Sequence, residues 1–594
     1  MEQEIDKWLA ALDGALQRRD IAAAAALFEI ESYWRDLLTF TWNIKTMEGR
    51  DAIEDMLTAC LDRTAPSDWK RSGPAEQTED GAAAWITFET ATAWGTGRVT
   101  IRDGLCHILL TTMEDLKGHE DPRGRRRPKG IEHRADRNRK TWAEQRAATR
   151  ARLGHEDQPE VVIIGGGQGG VALAARLKQL GVPALIIEKN PRIGDSWRNR
   201  YRSLVLHDPV WYDHLPYLPF PDTWPVFCPK DKMGDWLEAY ATIFELDAWT
   251  GTTCEKADWD AASGQWTVRV RRADGEETTL SPRQLVFCTG AYGPPRLPDF
   301  AGQEDYQGVL LHSSQYSEGA PFKGKRALVI GAGSSAHDVA VDLWEAGAEV
   351  SMFQRRASIV VRSETLMELA FDIYSEDAIE KGLTTEKADL LGAATPYALF
   401  ADKQKRLYKT IRERDADFYA ALDKAGFAYD FGEDDTGLMM RALRTASGYY
   451  IDVGASTLIA NGDIPIISND EIECLTPSGV RFASGREVQA DVIVACTGYQ
   501  SMNEAVAGLV DRETADRLGP CWGLGSGVRG DPGPWLGELR NMWGPTAHPA
   551  LWFHGGNLAL SRFYSKFVAM QLKARQAGID TPVYARPAPC QSGL

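Results

Sequence analysis

The chain has 594 residues, 43% of them hydrophobic and 25% charged, with a formal net charge of −17. That length exceeds a single hydrophobic core and predicts roughly three or four domains. The acidic balance repels phosphate backbones and argues against nucleic acid as a partner. The chain opens Met1-Glu2-Gln3-Glu4, without a basic and apolar leader, and no run reaches about 20 apolar residues, so no membrane span is expected and the cytoplasm is the predicted location. Nine cysteines lie scattered with no C-x-x-C pair, which argues against a disulfide scaffold, a zinc site or a dithiol redox centre; no metal is expected.

Residues 1–120 form a first unit. Ile5 to Arg19 reads as an amphipathic helix with Ile5, Trp8, Leu9, Leu12 and Leu16 on one face. Ile21 to Phe28 and Ile53 to Leu61 are predicted as two further helices, and Ala82 to Phe88, Gly97 to Arg102 and Leu105 to Met113 as strands, an α+β arrangement. The segment Tyr33-Trp34-Arg35-Asp36, followed by Met47-Glu48-Gly49-Arg50-Asp51-Ala52-Ile53, resembles the cone-shaped SnoaL-like family. A scaffold or homo-oligomerisation role is expected for this domain, since no acid–base constellation stands out in it. Residues 121–157 are a basic linker in an acidic protein, carrying Arg123, Arg125, Arg126, Arg127, Lys129, Arg134, Arg137, Arg139 and Lys140. Packing on acidic neighbours is expected of it, with a phosphate or partner contact as the alternative.

From residue 158 strands and helices alternate, which predicts parallel sheets. Val161 to Ile164 is a β-branched run suited to a strand buried on both faces. Gly165, Gly167 and Gly170 follow in G-x-G-x-x-G spacing. Gly165 permits the tight turn, Gly167 admits a pyrophosphate, and Gly170 allows close helix–strand contact. The helix opening there offers free N–H groups to phosphate. Glu188 ends the next strand, Ala184 to Ile187, where a carboxylate accepts ribose hydroxyls.

A second copy begins at Ala327 to Ile330, with Gly331, Gly333 and Ser334 opening its helix and Ala336 in the third position. Its second strand ends in Gln354-Arg355-Arg356 rather than an acid. Guanidinium groups there suit a 2′-phosphate, so NADPH is the predicted ligand, with NADH possible. Two dinucleotide sites imply one resident dinucleotide, a flavin, and one visiting hydride donor. The predicted fold is α/β: two Rossmann-like dinucleotide-binding domains, for FAD and NADPH, preceded by the α+β unit. The domain limits are residues 158–320 (flavin, first part), 321–475 (NADPH, with a helical insertion) and 476–594 (flavin, second part).

The chain from about 158 to 580 resembles the flavin-containing monooxygenases, in particular the bacterial group with an N-terminal extension and the plant YUCCA-type enzymes. Ile193-Gly194-Asp195-Ser196-Trp197-Arg198 is similar to the family's G-G-x-W-R flavin loop, with Asp195 for the second glycine. Tyr306 to Tyr316 is similar to the fingerprint F-x-G-x-x-x-H-x-x-x-Y/F and contains His312. Val286-Phe287-Cys288-Thr289-Gly290 and Ala495-Cys496-Thr497-Gly498-Tyr499 are similar to the two A-T-G linker strands. His207 stands where mammalian-type members carry Asn and YUCCA-type members carry His. Asp231 is expected to cap a helix, and Trp211, Tyr212, Trp224 and Phe227 to shield the flavin, line an entrance or pack the scaffold.

The resemblance implies FAD and NADPH as cofactors, with Trp197, Thr497 and Gly498 at the nucleotide sites, and O2 and a small molecule as substrates. It implies transfer of one oxygen atom from a C4a-(hydro)peroxyflavin to an amine, a sulfide or, in Baeyer–Villiger fashion, a ketone. His207 would act in the catalytic environment, and His312 either there or as a structural hinge. An NAD(P)H oxidase releasing peroxide, or a YUCCA-like oxidative decarboxylase of an indole keto acid, are the alternatives.

Overall fold

The computed structural model describes residues 1–130, 133–290 and 293–590. Helix Glu2–Gln17 buries the five predicted apolar residues. The second helix is shorter than expected, Ile21–Ala25, capped by Asp20, and Phe28 opens a strand, Phe28–Leu37. That strand is central, parallel to Leu105–Leu116 and antiparallel to Ile44–Glu48, in a seven-stranded curled sheet otherwise antiparallel. Its alternation is hidden because Trp34 to Leu37 are buried on both faces. Trp34 packs with the domain's own helices, whereas Leu37 joins the core of the neighbouring domain.

The basic linker behaves as its charge predicts. Helix Trp142–Arg152 begins at a Thr141–Glu144 capping box, and Arg146 and Arg150 approach Asp247 at 3.7 and 3.5 Å. Arg123 pairs with Glu114 at 2.7 Å.

Two all-parallel five-stranded sheets follow. The first has the order Ala248–Trp249, Ala184–Ile187, Val161–Ile164, Gln284–Phe287, Leu551–Phe553. The second has the order Val309–His312, Val492–Ala495, Arg326–Ile330, Glu349–Gln354, Ile466–Ser468. The expected domain limits therefore shift. Val309–His312 lies in the second sheet although it precedes residue 321, and Val492–Ala495 lies there although it follows residue 475. Strand partners are set by sheet docking, which a linear pattern does not carry. Between Gly293 and Ser501 two linkers run side by side: Gly293 N donates to Gln500 O at 2.7 Å and Gln500 N to Pro294 O at 2.9 Å.

A helical insertion between Arg362 and Asp463 is pinned to the first domain by a buried pair: Arg562 donates to both Asp389 oxygens at 2.9 and 2.7 Å, and its Nη1 to the His214 carbonyl at 2.7 Å. Arg562 lies on helix Leu558–Gln576, which packs along helix Gln168–Gln179. Among the described residues no helix is long and apolar enough to cross a membrane.

Candidate functional site

The first glycine motif is built as its spacing predicts. Gly165 has φ +106°, and a Cβ there would sit 2.3 Å from the Cys288 carbonyl oxygen; a Cβ on Gly170 would sit 2.0 Å from the Gly165 oxygen. These two glycines are demanded by the protein's own packing. Gly167 is different. The nearest protein atom to its Cβ would be Ser196 Oγ at 3.6 Å, so the chain leaves space at the start of helix Gln168–Gln179. A backbone kept bare where no protein atom needs the room fits a pyrophosphate resting on the helix N-terminus. Glu188 is buried at the strand end and held by two backbone donors, Gly166 N at 2.6 Å and Asn190 N at 2.7 Å. Each oxygen keeps a lone pair for a ribose hydroxyl.

Trp197 donates through Nε1 to Gln168 Oε1 at 3.3 Å, and Gln168 Nε2 donates to Gly556 O at 3.1 Å. The flavin loop is thus tied to the start of the last helix, which Asn557 caps while donating to the Tyr212 hydroxyl at 3.2 Å. Asp195, the departure from the family loop, accepts Arg192 N at 3.1 Å and Arg198 Nη1 at 2.8 Å and so closes the loop internally. Asp231 does not cap its helix. Pro229 holds that place, and Asp231 sits in the first turn paired with Lys230 at 2.7 Å.

The second motif repeats the design. Gly331 has φ +132° with a Cβ position 2.5 Å from the Cys496 oxygen, whereas Gly333 would meet nothing nearer than Tyr449 O at 3.7 Å. Ser334 Oγ donates to that same carbonyl at 3.1 Å. At the strand end Arg355 and Arg356 are exposed. The Arg356 guanidinium is held below its usual range by desolvation and by repulsion from Arg529, Arg355 and Arg441. Arg441 lies near this motif: its Nε is 3.0 Å from where a Gly448 Cβ would be, one residue before the Tyr449 carbonyl that faces Gly333. Arg441 and Arg529 were not legible in the sequence, because they arrive on the insertion and on a loop far down the chain.

Thr497, Gly498 and His312 meet one another at a joint. Thr497 Oγ1 donates to the Arg296 carbonyl, and the Gly498 carbonyl accepts from Arg296 N at 2.9 Å and pairs with His312 Nε2 at 3.1 Å. His312 Nδ1 accepts from Ser314 N at 3.1 Å, so Nε2 carries the proton and both ring nitrogens are occupied. With the ring buried and edge-on to Tyr499 at 5.3 Å, His312 is a strut between the fingerprint and the linker, with no free atom for proton transfer. Of the two expected roles the geometry supports the structural one. Thr497 and Gly498 belong to the same joint.

His207 is partly exposed, its Nε2 3.9 Å from Asp208 Oδ1. Burial raises the carboxyls of Asp208, its neighbour, and of Asp338. Asp338 lies one turn into helix Ser334–Glu345 and accepts the Tyr201 hydroxyl at 2.5 Å; Asp342, one turn further, accepts the Tyr316 hydroxyl at 2.6 Å. The flavin loop is therefore docked on the helix of the second cradle, with His207 at the seam. Of the four aromatic candidates, Tyr212 packs edge-on to Phe371 and Tyr374 at 5.1 and 4.7 Å, and Trp211 donates to Glu376 at 3.0 Å, so these two meet the insertion. Trp224 instead stacks on Phe220 at 5.0 Å, and Phe227 is exposed.

Two bare phosphate cradles joined by one docked loop, with no dithiol motif in the chain, define a two-dinucleotide flavoprotein oxidoreductase. The profile of the pyridine nucleotide-disulphide oxidoreductase family matches residues 162–395. The indole-3-pyruvate monooxygenase YUCCA1 of Oryza sativa subsp. japonica is 34% identical over 346 residues, 58% of this chain and 77% of the relative. YUCCA4 of the same plant is 29% identical over 360 residues, 58% and 75%. A crystal structure of cyclohexanone monooxygenase with bound ε-caprolactone aligns with TM-score 0.50 and 16% identity over 71% of this chain and 88% of its own, a likeness of fold. The chain belongs to the flavin-containing monooxygenase family and is an FAD- and NADPH-dependent monooxygenase that uses O2.

Proposed function

We propose that the chain inserts one oxygen atom into a small carbonyl, amine or sulfide substrate, at the seam where His207 lies between the two cradles. The observation that carries this reading is the pair of open glycines, Gly167 and Gly333, each at a helix start and linked through Tyr201 and Asp338. When bound, FAD supplies hydride acceptance from NADPH and activation of O2. The chain's own residues hold and exclude. Gly167 and the first helix N-terminus hold the flavin pyrophosphate, and Glu188 the ribose. Gly333, Ser334 and the arginines hold NADPH. Tyr212, Phe371 and Tyr374 form an apolar wall that keeps water from the reacting atoms. His207 donates a hydrogen bond there.

The match to indole-3-pyruvate monooxygenases favours a second reading in which the carbonyl belongs to an indole keto acid. A panel of a ketone, a sulfide, a tertiary amine and indole-3-pyruvate separates the readings by product formed per NADPH consumed. One substrate is expected to give a ratio near unity, and His207→Ala to divert turnover into hydrogen peroxide. Peroxide as the main product with every substrate would refute monooxygenation of this panel and return the oxidase alternative. Undiminished coupling in His207→Ala would remove the histidine from the mechanism.

The helices over a curled sheet support the SnoaL-like reading of residues 1–120. Because Leu37 faces the rest of the chain, a homo-oligomer through this domain would use its outer surface around exposed Ile30. The solution mass of the full chain tests it, a dimer or higher being expected and a monomer sinking it. All nine cysteines are free thiols, which supports the cytoplasmic reading.

A further inference from the structure

The N-terminal domain meets the rest of the chain in two kinds of contact. The outer kind is less buried: the half-buried Lys403 with Asp80 at 2.6 Å and the exposed Arg406 with Glu79 at 3.2 Å. The inner kind centres on Arg35, which is 2% exposed. Its Nε and Nη2 donate to the two Glu538 oxygens at 2.7 Å each, and its Nη1 to the Ala393 carbonyl at 2.9 Å. Nη2 also donates to the Tyr564 hydroxyl at 3.1 Å, and the guanidinium lies 5.0 Å from the Tyr397 ring centroid. Glu538 accepts Thr46 Oγ1 at 2.7 Å as well. One side chain thus joins the N-terminal sheet, the helical insertion and the C-terminal segment.

Burying such a pair is a poor way to gain stability, since apolar residues of similar volume generally serve as well or better. What the pair does supply is a fixed position for its partners. The Tyr564 ring stacks flat on Trp543 at 3.7 Å, and Trp543 Nε1 donates to the Gly555 carbonyl at 2.9 Å. Gly555 lies against the first dinucleotide helix, its Cα 3.2 Å from where a Gly169 Cβ would be, and the next carbonyl, Gly556 O, receives Gln168 Nε2. Gln168 in turn receives Trp197. Three side chains, Arg35, Tyr564 and Trp543, lead from the N-terminal domain to the floor of the first cradle.

We propose that Arg35 is a positioning residue for the flavin site, acting through Tyr564 and Trp543 on the Gly555–Asn557 segment, so that the N-terminal domain is part of the flavin-binding apparatus. The proposal rests on the reading of the first cradle as the FAD site.

The double variant Arg35→Met/Glu538→Leu removes both charges and keeps the volume filled, Trp543→Phe removes the hydrogen bond to Gly555 together with part of the buried ring stacked on Tyr564, and Lys403→Ala/Arg406→Ala cuts only outer contacts. For each, the Tm of the apoprotein, the FAD dissociation constant by fluorescence and the visible circular dichroism of the bound flavin are compared with the unaltered full chain. The first two variants are expected to weaken FAD about tenfold, within the usual span of couplings between sites. They should also alter the flavin dichroism, and the apoprotein Tm of Trp543→Phe should fall because the shortened ring leaves a cavity in the core. The outer pair should leave affinity and dichroism alone. Unaltered affinity and dichroism in Arg35→Met/Glu538→Leu overturns the proposal, as does an equal loss in the outer pair. If the double variant does not fold, unaltered flavin binding in Trp543→Phe overturns it. A full chain that takes up no FAD refutes the cradle reading itself; normal uptake with undisturbed variants refutes only the role of Arg35.

Discussion

Gly167→Leu is expected to give folded protein that carries no flavin. The two neighbouring motif glycines are locked by the protein: a Cβ would lie 2.3 Å from a backbone oxygen at Gly165 and 2.0 Å at Gly170, so substitution there disturbs the turn itself. At Gly167 the closest protein atom is 3.6 Å away, an ordinary contact distance, and φ is −74°. A leucine is therefore tolerated by the fold, and its side chain occupies the space above the helix N-terminus. That space is where a pyrophosphate must approach the backbone to within hydrogen-bonding distance. The measurement is the visible spectrum of the purified variant beside its circular dichroism and Tm. A full flavin band near ~450 nm, as flavin chemistry requires of bound cofactor, would contradict the assignment of the first cradle. Loss of the band together with loss of folding would mean that the glycine is needed by the protein and not by its ligand.

Arg355→Ala is expected to lower kcat/KM for NADPH much more than for NADH. A charge-assisted hydrogen bond to a phosphate is worth about 1.5–3 kcal/mol, which corresponds to roughly a tenfold to hundredfold loss. Arg356 feels the charge of Arg355, Arg441 and Arg529. The single variant should therefore fall near the lower end of that range and Arg355→Ala/Arg356→Ala near the upper. NADH, lacking the 2′-phosphate, should change by less than about threefold, because exposed charges acting at longer range are screened by salt. The ratio of the two kcat/KM values, measured at low and at high ionic strength, decides the matter. Equal losses for both nucleotides would remove the arginines from phosphate recognition and leave them as a solvated surface cluster. The same experiment on Arg441→Ala separates a ligand from a bystander.

Both expectations began as sequence patterns, and the reason is locality. The turn at Gly165 and the helix at Gln168 lie within one strand–helix–strand unit, and Glu188 meets Gly166 across only 22 residues. Periodicity and glycine spacing describe such a unit completely. The same locality explains the five apolar residues of the first helix. Where the reading went astray, a distant partner decided. The strand Phe28–Leu37 was hidden because its second face is covered by other parts of the chain. For His312 the sequence left a structural and a catalytic role open, and the choice between them rests on a carbonyl at Gly498, separated by 186 residues. Trp224 and Phe227 looked equivalent to Tyr212 in the sequence, and only packing distinguished the residue that meets the insertion from those that do not.

By itself, then, the order of residues determined the two strand–glycine–helix turns and put Arg355 and Arg356 at the end of a strand in the second unit, because those features are written over one turn and two strands. Tertiary structure alone decided that Arg441 packs against Gly448 beside the second glycine motif, that Asp338 receives Tyr201 across the domain seam, and that Arg35 meets Glu538 over 503 residues. Hydrogen bonds and ion pairs of that reach form only after whole domains have docked, and the docking is set by the summed shape of many apolar faces, a quantity no short stretch of sequence contains.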